Sequence, residues 1–138
     1  MQCNPSSLDQ VEDLTDLVHL NESSALHVLR QRYASSLIHT YAGRHMIIIN
    51  PIRQLTSYSD KVLEMFRGSR REDMPPHIFS VAQQAYHALI NNHSDQSLVL
   101  LGLSGSGKTF NARHIMRYLA SAGTAGTESH VACKYTYG

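Results

Sequence analysis

The segment with the clearest chemical meaning is residues 102–109, whose sequence G-L-S-G-S-G-K-T fits the pattern G-x-x-x-x-G-K-[ST]. Glycines in such a loop let the backbone bend closely around a phosphate, so that successive N–H groups can point at its oxygens. Lys108 can reach the β- and γ-phosphates as a point charge, and the Thr109 hydroxyl can ligate Mg²⁺. The spacing therefore predicts a phosphate-binding loop (P-loop) for a nucleoside triphosphate with Mg²⁺.

The segments on either side of this loop are predicted to be a strand and a helix, as a phosphate-binding loop requires. Residues 97–101 are an unbroken apolar run, which predicts a strand buried on both faces of a parallel sheet. A helix over residues 108–120 is predicted by the helical spacing of Ala112, Ile115, Met116 and Leu119. The positive end of its dipole would then point at the bound anion. A Gly- and Ser-rich turn without a ligand is the alternative, and this context favours the phosphate site.

The upstream sequence predicts helices and one hairpin. Asn21 is a good N-cap for a helix over residues 22–33, with Leu26, Leu29 and Tyr33 on its buried face. Two β-type runs, residues 38–41 and 46–50, flank a turn and indicate a hairpin. Two more helices follow, at residues 59–66 and 76–91.

We expect three regions along the chain. Residues 1–20 are a polar, irregular lead-in, residues 21–121 form the main folded part with the P-loop, and residues 122–138 are a divergent, disordered C-terminal tail.

Composition narrows the class of protein. The chain has 138 residues with 12 basic and 11 acidic side chains, which fits one small globular domain. A net charge of +1 gives no electrostatic footprint for nucleic acid or an anionic membrane surface. The N-terminus lacks an apolar signal segment, and the apolar runs are too short to cross a bilayer. We therefore expect a cytoplasmic protein, no nucleic-acid partner, no membrane insertion, and free thiols at Cys3 and Cys133.

The flanking motifs resemble those of myosin motor domains. Residues 50–58, N-P-I-R-Q-L-T-S-Y, resemble the family's purine-binding loop, and residues 62–68 resemble the helix that follows it. Further similar motifs occur in the family's order between residues 13 and 122. The resemblance implies an α/β fold, namely a P-loop NTPase-type fragment of a myosin motor head with an incomplete mixed sheet and flanking helices.

Within this family the chain is most similar to the unconventional class XVIII. Leu103, Ser106 and Phe110 stand where the family usually has Glu, Ala and Glu, while Asn111 is kept. Class XVIII motors are regarded as nucleotide binders with little or no hydrolysis that act as actin-linked scaffolds. The resemblance therefore implies ATP or ADP with Mg²⁺ as cofactors. It also implies actin as a partner, through a surface outside this chain, and a cytoskeletal location.

The resemblance also implies roles for individual residues. Asn50, Pro51 and Tyr58 would border the adenine, and Arg53 stands where the family has Lys near the base or phosphates. Thr109 would hold Mg²⁺, and Asn111 would brace the site. The phosphates would be held by residues of the loop itself, namely Gly102, Leu103, Ser104, Gly105, Ser106, Gly107 and Lys108.

Two patterns that a myosin ATPase needs do not occur in these 138 residues. They are the Asn and Ser–Arg run of switch I and the Asp and Gly–Phe–Glu run of switch II. No catalytic residue is therefore assigned, and we expect the chain alone not to hydrolyse ATP at a motor-like rate. Two alternatives stay open. One is a non-enzymatic interaction or scaffold fragment of an actin-linked myosin, and the other is a different P-loop NTPase or kinase.

Overall fold

The computed structural model describes residues 4–124, so most of the predicted tail lies outside the described residues. The described residues form two compact units. The first contains the residues up to Gln54 together with Pro75–His77, and the second contains Leu55–Met74 and the residues from Ile78 onward.

The first unit combines one helix with a two-stranded sheet. Helix α1 spans Glu22–Ala34, strand β1 spans His39–Ala42 and strand β2 spans His45–Ile48. The strands are antiparallel, with His39 opposite Ile48 and Ala42 opposite His45. Asn21 caps α1 as expected, because its side chain accepts a hydrogen bond from the backbone N–H of Ser24 while the Ser24 hydroxyl accepts one from Asn21. The predicted helix and hairpin are therefore confirmed.

The buried face of α1 differs from the prediction. Val28 and Arg32 are buried, whereas Leu26 is 56% exposed and Tyr33 is also exposed. The Arg32 guanidinium donates to Thr40 Oγ1 at 2.9 Å, to the carbonyl of His39 at 2.9 Å and to the carbonyl of Gln10 at 2.8 Å. Three acceptors satisfy this buried cation, so the helix can turn its Arg32 face inward.

The core of the first unit draws on the segment before α1. Leu14 and Leu17 pack with Val28, and partly buried apolar side chains surround them. Two short 3-10 turns, Ser6–Leu8 and Leu14–Asp16, shape this segment. Asp13 caps the second turn by accepting from the backbone N–H of Thr15.

Three helices form the second unit, and their predictions are confirmed. Helix α2 spans Asp60–Phe66, α3 spans Ile78–Asn92 and α4 spans Lys108–Thr124. Helix α4 continues four residues beyond the predicted end. Phe79 and Tyr118 are fully buried and stack with ring centroids 5.4 Å apart, which joins α3 to α4. The Tyr118 hydroxyl donates to Gln83 Oε1 at 2.7 Å, and burial raises the pKa of Tyr118 to about 12.

The prediction of a strand at residues 97–101 is wrong for the described structure. This segment has no regular secondary structure, and Val99 and Leu101 are 77% and 87% exposed. A strand needs a hydrogen-bonded neighbour, and within residues 4–124 the only sheet is the β1–β2 hairpin of the other unit. The expected mixed sheet is therefore reduced, in this part of the chain, to a two-stranded antiparallel ribbon.

None of the helices within residues 4–124 is long and apolar enough to cross a membrane.

Two buried histidines of the first unit predict that acid destabilises the fold. The rings of His39 and His77 lie 4.4 Å apart, and both side chains are buried. Burial of the ring holds the pKa of His39 well below its ordinary value of 6.5. The charges of His77 and then of Arg32 lower this pKa further. Between pH 6.5 and that lowered pKa, the unfolded chain binds a proton that the folded chain refuses, so stability falls as the pH falls.

We expect His39 to lower the unfolding free energy by up to about 1.4 kcal/mol for each pH unit below pH 6.5. Urea unfolding at pH 7.5, 6.5 and 5.5 measures this slope. His39→Gln should flatten it, whereas His45→Gln, at an exposed position of the same hairpin, should not. An unchanged slope in His39→Gln would contradict the expectation.

Candidate nucleotide site

The Gly-rich loop (residues 102–107) has a backbone that depends on its glycines. Gly102 lies close to Ser106, and a Cβ atom at Gly102 would come within 2.5 Å of the Ser106 Oγ. Gly105 has a φ of +79°, which side-chain-bearing residues rarely adopt. The conformation thus explains two of the glycines that the sequence pattern requires.

Lys108, the first residue of α4, closes this loop. Its ammonium donates to the carbonyl oxygens of Gly102 at 2.7 Å and of Leu103 at 2.9 Å. These bonds hold the Lys108 ammonium against the first two residues of the loop. Among the described residues, no other side chain that lines the loop's cavity is charged.

The loop and the first turn of α4 line a cavity of about 300 Å³ that is open to solvent. This volume is at the lower end of the range for small-molecule sites. Backbone N–H groups at the start of a helix lack intrahelical partners, so they can receive an anion here. The lining residues are Ser104, Gly105, Gly107, Lys108, Thr109 and Phe110.

Asn111 connects the loop to the interior of the second unit. Its side-chain Nδ2 and its backbone N–H both lie 3.0 Å from the Gly107 carbonyl oxygen, to which they donate. Its Oδ1 accepts a hydrogen bond from the Tyr58 hydroxyl at 3.4 Å. Asn111 is buried, so these bonds fix the last glycine of the loop against a buried side chain.

An aromatic cluster, made of Tyr58, Phe79, Phe110 and His114, supports the start of α4. The Tyr58 ring lies 5.0 Å from the Phe110 ring and 4.4 Å from the His114 ring. Burial raises the pKa of Tyr58 and lowers that of His114, whose pKa the charge of Arg117 lowers further. Both side chains are therefore neutral near pH 7.

Further hydrogen bonds hold α2 and the residues before it against α4. The Arg117 guanidinium donates to the carbonyl oxygen of Tyr58 at 3.1 Å and pairs with Asp60. Arg67 donates to the Ser121 hydroxyl at 2.6 Å. Arg117 thus holds the backbone of Tyr58 next to α4, and Arg67 holds the end of α2 there.

The structure brings most of the predicted site residues together in the second unit. Residues 102–109, Tyr58 and Asn111 all belong to it, and Thr109 is exposed beside Lys108. The predicted roles of these residues toward phosphate, adenine and Mg²⁺ stay predictions.

The remaining adenine-loop residues belong to the first unit. Asn50 accepts from the backbone N–H of Ile52 at 3.1 Å, which forms a tight local turn. Arg53 donates to the Ser36 hydroxyl at 2.7 Å. Asn50, Pro51 and Arg53 as parts of a nucleotide site stay predictions as well.

Sequence reasoning did not assign Phe110 or His114 to the site. Phe110 lines the cavity, and His114 packs on it with ring centroids 4.5 Å apart. The signal was the i, i+4 spacing of these two aromatic rings on one helix face directly after the loop.

Removing the Asn111 side chain should destabilise the second unit. Asn111→Ala deletes the side-chain bond to Gly107 and the acceptor for the Tyr58 hydroxyl, so the unfolding free energy should fall by about 1–3 kcal/mol. Urea unfolding measures the change. Asn92→Ala, at the exposed end of α3, is the matched control and should have little effect. Equal effects of the two substitutions would refute the bracing role.

Comparison with known proteins agrees with the family resemblance. Residues 11–135 match the model of the myosin head (motor domain) family. The chain is 55% identical over 128 residues to unconventional myosin-XVIIIa of Mus musculus, covering 92% of this chain. It is 43% identical over 124 residues to Myosin-1 of Caenorhabditis elegans and 44% over 117 residues to Myosin-14 of Homo sapiens, covering 90% and 85% of this chain. In each case the match spans only 6% of the relative's length. The chain belongs to the myosin head (motor domain) family.

Proposed function

We propose that this chain supplies the phosphate-binding part of a myosin motor head and binds ATP or ADP with Mg²⁺ at the Gly-rich loop. The observation that carries the proposal is the arrangement around Lys108. A glycine-dependent loop, a single cation and the start of a 17-residue helix face one cavity. This combination suits a polyphosphate, because the N–H groups at the helix start, the helix dipole and a lysine all favour negative charge there.

Different residues of the chain would bind the phosphates, the Mg²⁺ ion and the adenine. The loop's backbone N–H groups would hold the β-phosphate, and Lys108 would turn from its own loop carbonyls toward the β- and γ-phosphates. The Thr109 hydroxyl, one residue further on, would ligate Mg²⁺. Asn50, Pro51, Arg53 and Tyr58 would border the adenine, as the family resemblance implies.

The motor function of the whole protein is part of the same proposal. Membership of the myosin head family supports an actin-based, cytoskeletal motor or pseudo-motor in the cytoplasm. The 55% identity to a class XVIII myosin, against 43–44% to the two other relatives, favours the pseudo-motor, in which the nucleotide is bound with little turnover. The actin-binding surface would belong to other parts of the full-length protein.

The binding proposal is tested by removing the loop's cation. Lys108→Ala should weaken MgATP binding to the 138-residue chain at least about tenfold, because it removes the charged side chain from the described lining of the cavity. Titration calorimetry with and without Mg²⁺ measures the affinity. Lys61→Ala, at an exposed lysine of α2, should leave the affinity unchanged.

Two results would count against nucleotide binding at this loop. One is equal affinity in Lys108→Ala and Lys61→Ala. The other is a wild-type chain that is folded, as judged by circular dichroism, yet binds no nucleotide. The second result would favour the non-enzymatic interaction fragment.

Hydrolysis by the chain alone should be absent. Within the described residues no carboxylate lines the cavity, so no general base is placed to orient an attacking water. We expect steady-state phosphate release from MgATP to equal the rate measured for Lys108→Ala. A wild-type rate clearly above that of Lys108→Ala would show that the chain is itself an ATPase.

A further inference from the structure

We infer that Phe110 is the nucleoside-binding wall of the cavity, and that its ring recognises a nucleobase by surface contact rather than by hydrogen bonds. This inference rests on the proposed function, since it requires that a polyphosphate occupies the Gly-rich loop. It assigns to this chain a specificity residue that comes directly after the proposed Mg²⁺ ligand, Thr109.

Phe110 is placed where it could contact both the phosphates and the nucleoside of a bound nucleotide. It is the third residue of α4, so its backbone N–H is one of the helix-start donors available to a phosphate. Its side chain lines the same cavity as Lys108 and Thr109, and it is 50% exposed. A group attached to the bound phosphates at this end of the cavity would therefore meet the ring.

The ring is held in place before any ligand arrives. It packs edge-to-face against Tyr58 at 5.0 Å, with an interplanar angle of 80°, and against His114 at 4.5 Å, with an angle of 63°. Tyr58 is in turn fixed edge-to-face on the fully buried Phe79, with ring centroids 6.2 Å apart. A rigid aromatic surface loses little conformational freedom on binding, which favours contact with a flat base.

The cluster offers a base surface contact but little hydrogen-bond discrimination. Phenylalanine has no polar atom, and the Tyr58 hydroxyl is directed at Asn111 Oδ1. Stacking on an aromatic side chain tolerates any base, because every base has a π-face. Phe110 should therefore distinguish nucleotides from a bare polyphosphate, while it separates adenine from guanine only weakly.

The test compares ligands that share phosphates but differ in the base. Titration calorimetry measures the affinities of MgATP, MgGTP and Mg-tripolyphosphate for the 138-residue chain and its Phe110→Ala variant. We expect Phe110→Ala to weaken MgATP and MgGTP by a similar factor, about 5- to 150-fold. Tripolyphosphate affinity should stay within about twofold.

Further variants separate ring contact from loss of packing. Phe110→Trp keeps an aromatic face and should retain most of the nucleotide affinity, whereas Phe110→Leu keeps apolar bulk without a ring and should lose most of it. Met65→Ala removes an exposed apolar side chain of α2 in the same unit and should change no affinity. Thermal unfolding of each variant confirms that the second unit is still folded.

Three results would overturn the inference in distinguishable ways. If the wild-type chain binds neither MgATP nor tripolyphosphate, the proposed function fails and the role of Phe110 fails with it. If the wild type binds both ligands but Phe110→Ala weakens them equally, Phe110 acts on the loop and not on the base. If MgATP binds equally well to wild type and to Phe110→Ala, the ring makes no contact with the nucleoside.

Discussion

The shape of the Gly-rich loop depends on hydrogen bonds that the following helix makes back to it. Lys108 holds the carbonyls at the start of the loop, and Asn111 holds the carbonyl of Gly107 at its end. Both residues lie in the first turn of α4, so the loop is fixed at two points by one rigid element. Within the described residues, this arrangement holds Lys108, the charged side chain of the cavity lining, against the loop carbonyls that it would leave when a phosphate binds.

The first turn of α4 is held in turn by a buried aromatic core. Phe79 and Tyr118 join α3 to α4 at the base, while Tyr58 and His114 pack close to the loop. Arg117 donates to the backbone of Tyr58, which adds a polar contact at the edge of the aromatic cluster. Close packing resists displacement, so the cluster supports the first turn of α4 beside the cavity.

The sequence was sufficient where local rules determine the structure, and insufficient where distant partners do. Helices α2, α3 and α4 follow from apolar periodicity. The loop's sequence pattern also requires a glycine at position 102, and the close approach of this residue to Ser106 gives the physical reason. The buried face of α1 was predicted wrongly, because the acceptors that allow Arg32 to face inward lie 7 to 22 residues away in sequence. Residues 97–101 have a strand's composition, but composition cannot supply the neighbouring strand on which a ladder depends. The place of Phe110 beside the cavity required the geometry of Tyr58, which is 52 residues earlier in the chain.

The described cavity lining offers groups suited to binding phosphate and contains no carboxylate that could act as a general base. A loop that contributes N–H donors and one lysine stabilises phosphate charge in the ground state as well as in the transition state, so it supplies binding without a large rate acceleration. Acceleration would need groups that act on the attacking water, and the described lining contains hydroxyls, glycine backbone and a phenyl ring instead. Phe110 adds an apolar ring to this lining. Under the proposed function, the Phe110 ring would add nucleoside contact to the cavity without adding a group that could act on water.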